Sequence, residues 1–343
     1  MTYFTLYILA FSTALAASLV LTPLARLLAR KLNIYDHPHT DIKTHNAPVP
    51  YLGGVAIAAA FYLSMLVIRL VTDFPTGTLR AMRGIFLAGF FVLTLGIIDD
   101  VKHKGLHFSQ KFLFQFAAAI FLISYGIRIE FIKPDWFGWI VTLFWIIGIS
   151  NALNIIDIMD GLSGGTAVIA AMAFFFIGVP GEEQIYVNFV SIGLAGALLG
   201  FLPYNLSKKF KIFMGDAGSL FVGMLLASTA LGTSYTESNN LGVLAPIMIL
   251  AIPIFDTLFV MVARFRQGKS PFKGSKDHFA LRLRVAQCSD KGILLRVYLS
   301  GIILLFASFV VAKTDSVPVA GIIYGLFAVA ISALASYLYK IKV

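Results

Sequence analysis

Asn151-Ala152-Leu153-Asn154-Ile155-Ile156-Asp157-Ile158-Met159-Asp160-Gly161-Leu162 closes an otherwise apolar run that starts near Trp136. Residues three apart are neighbours on a helix, so Asn151, Asn154, Asp157 and Asp160 form one slanting polar stripe on a hydrophobic rod. Hydrocarbon penalises such a stripe, and its side chains are expected to face protein or a hydrated cleft. Gly161 and the Ser163-Gly164-Gly165 beyond it then break the helix and open backbone amides to a ligand. An interhelical polar seam is the structural alternative; two acids within the stripe make it the lesser one.

The rest of the chain repeats the apolar half of this pattern. Its 343 residues are 59% hydrophobic and 13% charged, with a mean hydropathy of +0.87, too apolar for a soluble domain of this length. A membrane-spanning helix takes about 20 mostly apolar residues. Eleven such runs are read, centred near Ala14, Ala60, Gly89, Ala118, Phe144, Ala170, Gly196, Leu226, Ile252, Leu304 and Val329. The predicted fold is therefore an all-α integral membrane protein, a polytopic bundle of about eleven helices forming one domain over residues 1–343. The first run lacks a basic leader and an A-x-A-type cleavage site, and Arg26, Arg30 and Lys31 follow it, so it reads as a retained helix.

Orientation follows from the basic residues. With the N-terminus outside and the C-terminus in the cytosol, 21 of the 27 Lys and Arg fall on inner segments and 6 on outer ones. The net charge of +10 then reflects topology and attraction to anionic membrane lipids, not a nucleic-acid partner. All six histidines and the lone Cys288 lie on the inner side too, where no disulfide is expected. The longest hydrophilic stretch, from about Arg264 to Arg296, is too short to hold a core of its own, so any chemistry must be assembled from inner loops and helix ends.

Four further inner constellations stand out. The loop from Asp36 to Gly54 contains Lys43 and His45, which can meet an anion, and Pro48 and Pro50, which discourage helix across Asn46 to Pro50. The third span ends in Asp99-Asp100, a costly pair at a membrane boundary unless a cation relieves it. Adjacent helix positions point about 100° apart, so one acid can ligate a metal while the other accepts a proton. The eighth span opens Phe213-Met214-Gly215-Asp216-Ala217-Gly218-Ser219, with Asn205, Lys208, Lys209 and Lys211 just before it. Asp216 there is either an N-cap or a ligand to a metal-bound diphosphate, because the positive end of a helix favours anions. Finally, Asp256 sits among apolar residues, and the basic loop after it carries His278 and Arg282. Acids for one or two metal ions, set among many cations beside a membrane, suit phosphoryl transfer.

Taken in order, Asp99-Asp100, the Asn151-to-Leu162 pattern, Phe213-to-Ser219 and the late basic loop resemble the polyprenyl-phosphate N-acetylhexosamine-1-phosphate transferases, over about residues 36 to 284. The resemblance implies transfer of N-acetylhexosamine 1-phosphate, GlcNAc-1-phosphate foremost, from a UDP-N-acetylamino sugar to undecaprenyl phosphate, with Mg2+ (or Mn2+) required and UMP released. Such a reaction opens cell-envelope polysaccharide synthesis at the cytosolic face of the bacterial inner membrane, and membrane enzymes of this type form homodimers. By motif position Asp216 is implied as metal ligand, with Asn154 and Asp157 beside it. Asp99, Asp100 and His278 are implied as catalytic residues. Lys43, His45, Asn151, Asn154, Asp157, Asp160, Asn205, Phe213 and Arg282 would bind substrate, Phe213 by stacking on uracil.

Two departures bear on the donor. Ile158 stands where the family usually has glycine, and the late loop keeps only His278 where many members carry two or three histidines. The alternatives are a phospho-N-acetylmuramoyl-pentapeptide transferase, whose histidine-rich pattern is missing, and an ion-coupled secondary transporter with intramembrane carboxylates. A transporter predicts acids near the midplane and related halves; here the acids lie at inner helix ends and no halves repeat.

Overall fold

In the computed structural model, residues 2–38, 47–73, 78–102, 105–179, 185–236, 238–270 and 274–341 are described. The chain is helical almost throughout. Helices α1 (Tyr3–Lys31), α2 (Gly53–Val71), α3 (Thr78–Val101), α4 (Phe108–Ser124), α5 (Asp135–Ile155) and α6 (Leu162–Gly178) are followed by α7 (Ile185–Asn205) and α8 (Gly215–Gly232). A 3-10 turn (Asn240–Leu244) leads into α9 (Ala245–Ile249), α10 (Ala251–Arg266), α11 (Phe279–Val285), α12 (Asp290–Lys313) and α13 (Val317–Lys340). Two short strands, β1 (Tyr35–Asp36) and β2 (Val49–Pro50), pair antiparallel and bring Asp36 opposite Val49.

Among the described residues, eight helices are long and apolar enough to cross a membrane: α1, α2, α3, α5, α7, α8, α12 and α13. The expected span near Ile252 is not one straight helix. Asn240–Ile249 and Ala251–Arg266 meet at 71°. Pro253 explains the break, since it lacks an N–H for the Ile249 carbonyl and its ring crowds that group. Helices α4 and α6 are apolar but have only 17 residues each, short of the roughly 20 that a perpendicular span requires. The eleven expected spans thus divide into eight of full length, one broken and two short.

Helix α8 is the axis of the bundle, enclosed along nearly all its length, whereas α13 lies at the periphery with most of its side chains exposed. Close packing against the first turn of α8 requires two glycines. A Cβ on Gly54 of α2 would stand 2.1 Å from the Gly218 nitrogen, and one on Gly96 of α3 would stand 2.3 Å from the Ala217 Cα. With nothing there but hydrogen, both helices press directly on the α8 backbone, as membrane helices do where small residues meet. Gly53 and Gly54 also donate to the carbonyls of Phe213 (3.0 Å) and Met214 (2.9 Å), joining the β2 segment to the entry of α8. The start of α2, the end of α3 and the start of α8 are held together this way.

Candidate active site

The contact of α3 with α8 gives the two adjacent acids different tasks. Asp100 accepts from the backbone N–H groups of Asp216 (2.8 Å) and Ala217 (3.0 Å), one on each oxygen. These amides belong to the first turn of α8 and have no partner within the helix, so Asp100 caps α8 from a separate helix. Asp99 points elsewhere. Its Oδ1 accepts from the Leu106 N–H at 2.5 Å and its Oδ2 from the Lys111 ammonium at 2.8 Å. Lys111, on α4, also donates to Asp216 Oδ2 at 2.5 Å, and Asn154, on α5, donates to Asp216 Oδ1 and to Ser219 Oγ, both at 2.9 Å.

Four helices therefore converge on one ionic cluster. Carboxylate oxygens of Asp99, Asp100 and Asp216 lie within 4.8 Å of one another. Three hard oxygen donors at this spacing suit a divalent cation such as Mg2+, and among the described residues one ammonium, that of Lys111, pairs with the three carboxylates. The donor set differs from the sequence expectation: Asp216 is common to both, Asp99 and Asp100 join it, and Asn154 binds Asp216 itself through its carboxamide.

A cavity of about 210 Å³ opens beside the cluster, with Asp216, Asn154, Asp157 and Asp160 on its wall. Lys211 and Phe213 line it too. Lys211 pairs with Asp160 at 2.6 Å, and its ammonium stands 5.4 Å from the centroid of the Phe213 ring. Burial, with the Asp216 and Asp160 carboxylates nearby, pushes the Asp157 carboxyl up to about 7. Two further lining residues, Asp36 and Tyr51, were not predicted. The Tyr51 hydroxyl is hydrogen-bonded to Asp36, and burial and then the Asp36 charge raise it well above the ordinary phenol range.

The sequence model of glycosyl transferase family 4 matches residues 82–234, from within α3 past the end of α8. A Bacillus subtilis (strain 168) protein named "Probable undecaprenyl-phosphate N-acetylglucosaminyl 1-phosphate transferase" is 31% identical over 312 residues, covering 88% of this chain and 84% of its own. The chain belongs to glycosyl transferase family 4. Within that family, the decaprenyl-phosphate N-acetylglucosaminephosphotransferase of Mycobacterium tuberculosis (strain ATCC 25618 / H37Rv) is 33% identical, covering 80% of this chain and 74% of its own. The undecaprenyl-phosphate alpha-N-acetylglucosaminyl 1-phosphate transferase of Escherichia coli (strain K12) is 26% identical, covering 74% and 70%.

The family match contains Asp99, Asp100, Lys111, Asn154, Asp157, Asp160 and Asp216, the groups that meet at the cluster and cavity. Lys111 belongs to none of the motifs that stand out in the sequence. It sits 12 residues after Asp99, beyond a turn, and only its place on an otherwise apolar helix hinted at a partner inside. Asn205 borders the cavity, but its carboxamide is spent on backbone, accepting from the Gly161 N–H at 2.7 Å and donating to the Ile212 carbonyl at 3.1 Å.

Other expected substrate-binding residues fall elsewhere. Asn151 donates to Gln115 at 2.6 Å and to the Ile147 carbonyl at 2.7 Å. It does not line the cavity; it is the seam between α4 and α5, the structural alternative for this part of the stripe. His278 lies outside the cavity wall, with Nδ1 2.7 Å from Asp256 Oδ2. The Phe279 N–H donates to the other Asp256 oxygen at 2.9 Å, so Asp256 fixes the start of α11. Arg282 is buried and its donors are occupied: by the Asp277 carboxylate at 2.6 Å, the Asp277 carbonyl at 3.2 Å, the Leu338 carbonyl at 3.2 Å and the Ile341 carbonyl. It ties down the end of α13, with four of its five N–H donors engaged by these protein acceptors. Lys43 and His45 lie outside the described residues.

Proposed function

We propose that this protein transfers N-acetylglucosamine 1-phosphate from UDP-N-acetylglucosamine to undecaprenyl phosphate. A lipid phosphate oxygen forms a bond to the sugar-bearing phosphorus, the bond between the two phosphates of the donor breaks, and UMP leaves. The printed names of the relatives supply the acceptor and the sugar. These relatives are transferases, which favours group transfer over ion-coupled transport. The observation that carries the reading to this chain is the Asp99, Asp100 and Asp216 cluster at the edge of a cavity that also presents Lys211 and Phe213.

Both substrates are anions, so the barrier is largely one of charge and positioning. Mg2+ held by Asp216 with Asp99 would neutralise charge on the donor diphosphate. Lys111 keeps those two carboxylates together and lowers their mutual repulsion. Asp99 is placed to accept a proton from the lipid phosphate or to orient it. Asp100 positions Asp216 through the α8 backbone, and Asn154 holds the Asp216 side chain. Phe213 offers a ring to the uracil and Lys211 an ammonium to the phosphates.

The bias of Lys and Arg supports a site on the cytosolic side of a bacterial inner membrane, where UDP-sugars occur, with the N-terminus outside. Eleven crossings follow if the broken pair α9–α10 counts once and the two short helices also cross. A homodimer belongs to the same reading. The test is release of UMP by purified protein given undecaprenyl phosphate, Mg2+ and a panel of UDP-sugars. UDP-N-acetylglucosamine is expected to be the best donor; no release with any donor would overturn the assignment, and no release without a chelatable metal is expected.

A further inference from the structure

The loop between α5 and α6 carries two of the cavity acids, Asp157 and Asp160. It ends at Gly161, whose backbone is left-handed (φ +77°) and which starts α6 with no side-chain cap. One peptide group on each side of Gly161 is gripped. Its N–H donates to Asn205 Oδ1 at 2.7 Å, and its carbonyl accepts the Tyr298 hydroxyl at 2.7 Å in addition to the Gly165 N–H at 2.9 Å. Asn205 in turn donates to the Ile212 carbonyl, between Lys211 and Phe213.

Tyr298 is on α12, 137 residues further along the chain and beyond the family match. The sequence opens a seat for its hydroxyl. A Cβ on Gly165 would meet the Tyr298 hydroxyl oxygen at 2.2 Å, and one on Gly161 would meet it at 3.0 Å. Two glycines therefore keep the first turn of α6 bare where the phenol arrives. A carbonyl in the first turn of a helix already has its own amide partner, so this second donor is not required by the helix. Its effect is to fix the direction in which the acid-bearing loop leaves α5.

We infer that Tyr298 is a positioning residue for transfer, holding the Asp157–Asp160 loop in its donor-binding arrangement through the Gly161 carbonyl. The inference rests on the proposed use of this cavity by the nucleotide-sugar donor. Without the hydroxyl the loop samples other arrangements, and affinity falls by the fraction of protein that remains competent. Donor binding re-selects the competent loop, so the loss appears in the donor KM and not in kcat at saturation. The acceptor KM is untouched.

Tyr298→Phe keeps the ring and removes only the donor. Loss of one hydrogen bond of this kind changes an equilibrium by about threefold to tenfold. The expected result is a donor KM raised by that factor, with kcat and the undecaprenyl phosphate KM within about twofold of the parent. Hydrogen–deuterium exchange of the substrate-free protein is the second measurement, and residues 156–165 should exchange faster while residues 105–111 do not. An unchanged donor KM, or equal rises for donor and acceptor, would overturn the inference, as would unchanged exchange at 156–165. If the parent protein uses no UDP-sugar at all, the proposed function fails on its own, and the exchange measurement still decides whether Tyr298 holds the loop.

Discussion

Two parts of the molecule carry dense charge, and they use it in opposite ways. At the α3–α8 junction carboxylate oxygens of Asp99, Asp100 and Asp216 lie within 4.8 Å of one another, and Lys111 bridges Asp99 and Asp216. On either side of the loop after α10, two arginines are tied to protein acceptors. Arg264 donates to the carbonyls of Ser270 (2.6 Å) and Gly274 (3.4 Å), and Arg282 to Asp277 and the end of α13. Uncompensated like charge is costly and persists where a ligand or metal will offset it. A guanidinium bonded to backbone carbonyls is a cross-link. The difference lies in what surrounds the charges, since both regions look alike as strings of ionisable residues.

The largest effect separating the two regions should come from Asp216→Asn. The amide retains size and can still take up the Lys111 or Asn154 hydrogen bond, but it removes one of the three carboxylates available for a cation. Turnover, read as UMP release, is expected to fall by about 10³-fold, the scale of losing one electrostatic contact to a developing charge. Thermal stability in detergent should hold or rise, because removing one of three crowded carboxylates relieves repulsion. Near-parental turnover would remove Asp216 from the reaction centre.

Arg282→Met makes the reverse case. It leaves Asp277 buried without its cation and frees the carbonyls at the end of α13, a loss of about 3 kcal/mol. The midpoint of thermal unfolding should drop clearly, while the donor KM of the folded fraction stays within about twofold. Adding Asp277→Asn to the same chain should restore part of the stability. A large rise in donor KM with no change in unfolding would return Arg282 to the substrate site.

Asn151→Ala asks the same question of the polar stripe, at smaller cost. Gln115, fully buried, would lose its partner, for about 1–2 kcal/mol of stability. Asn154→Ala, one turn along the same helix, should instead depress turnover with little change in unfolding, since its carboxamide holds Asp216. Similar outcomes for the two variants would mean that the stripe acts as one unit.

These contrasts also mark what the sequence made legible. The apolar runs gave the helices because burial in hydrocarbon needs length and composition, and both are local. The break before α10 was legible in Pro253, whose effect is also local, although the run was read as straight. The acids of the cluster were legible because adjacent carboxylates are expensive wherever they fall. Which of Asp99 and Asp100 caps α8 was not, since that depends on how α3 is rotated against a helix more than a hundred residues away. Arg282 was misassigned for the same reason: the orphan carbonyls that capture it belong to the far end of the chain. Tyr51 and Tyr298 carry no charge and sit in no motif, so nothing local set them apart from other interfacial tyrosines.

The smallest test concerns pH in the region where charge is structural. Burial alone would raise the Asp277 carboxyl, but donors from Ser275, Gln267 and Arg282 outweigh it and hold the group below its ordinary range. A carboxyl depressed in the folded protein adds stability that is complete above its unfolded value and disappears as pH falls through the folded one. The relevant window therefore lies below roughly pH 4. Unfolding midpoints of the parent and of Asp277→Asn should differ most at neutral pH and converge through that window, because other carboxylates titrate in both proteins and cancel in the difference. A gap that stays constant from neutral pH downward would mean that the Asp277 charge does not hold the loop. The Arg282 cross-link would then rest on the backbone carbonyls of α13 alone.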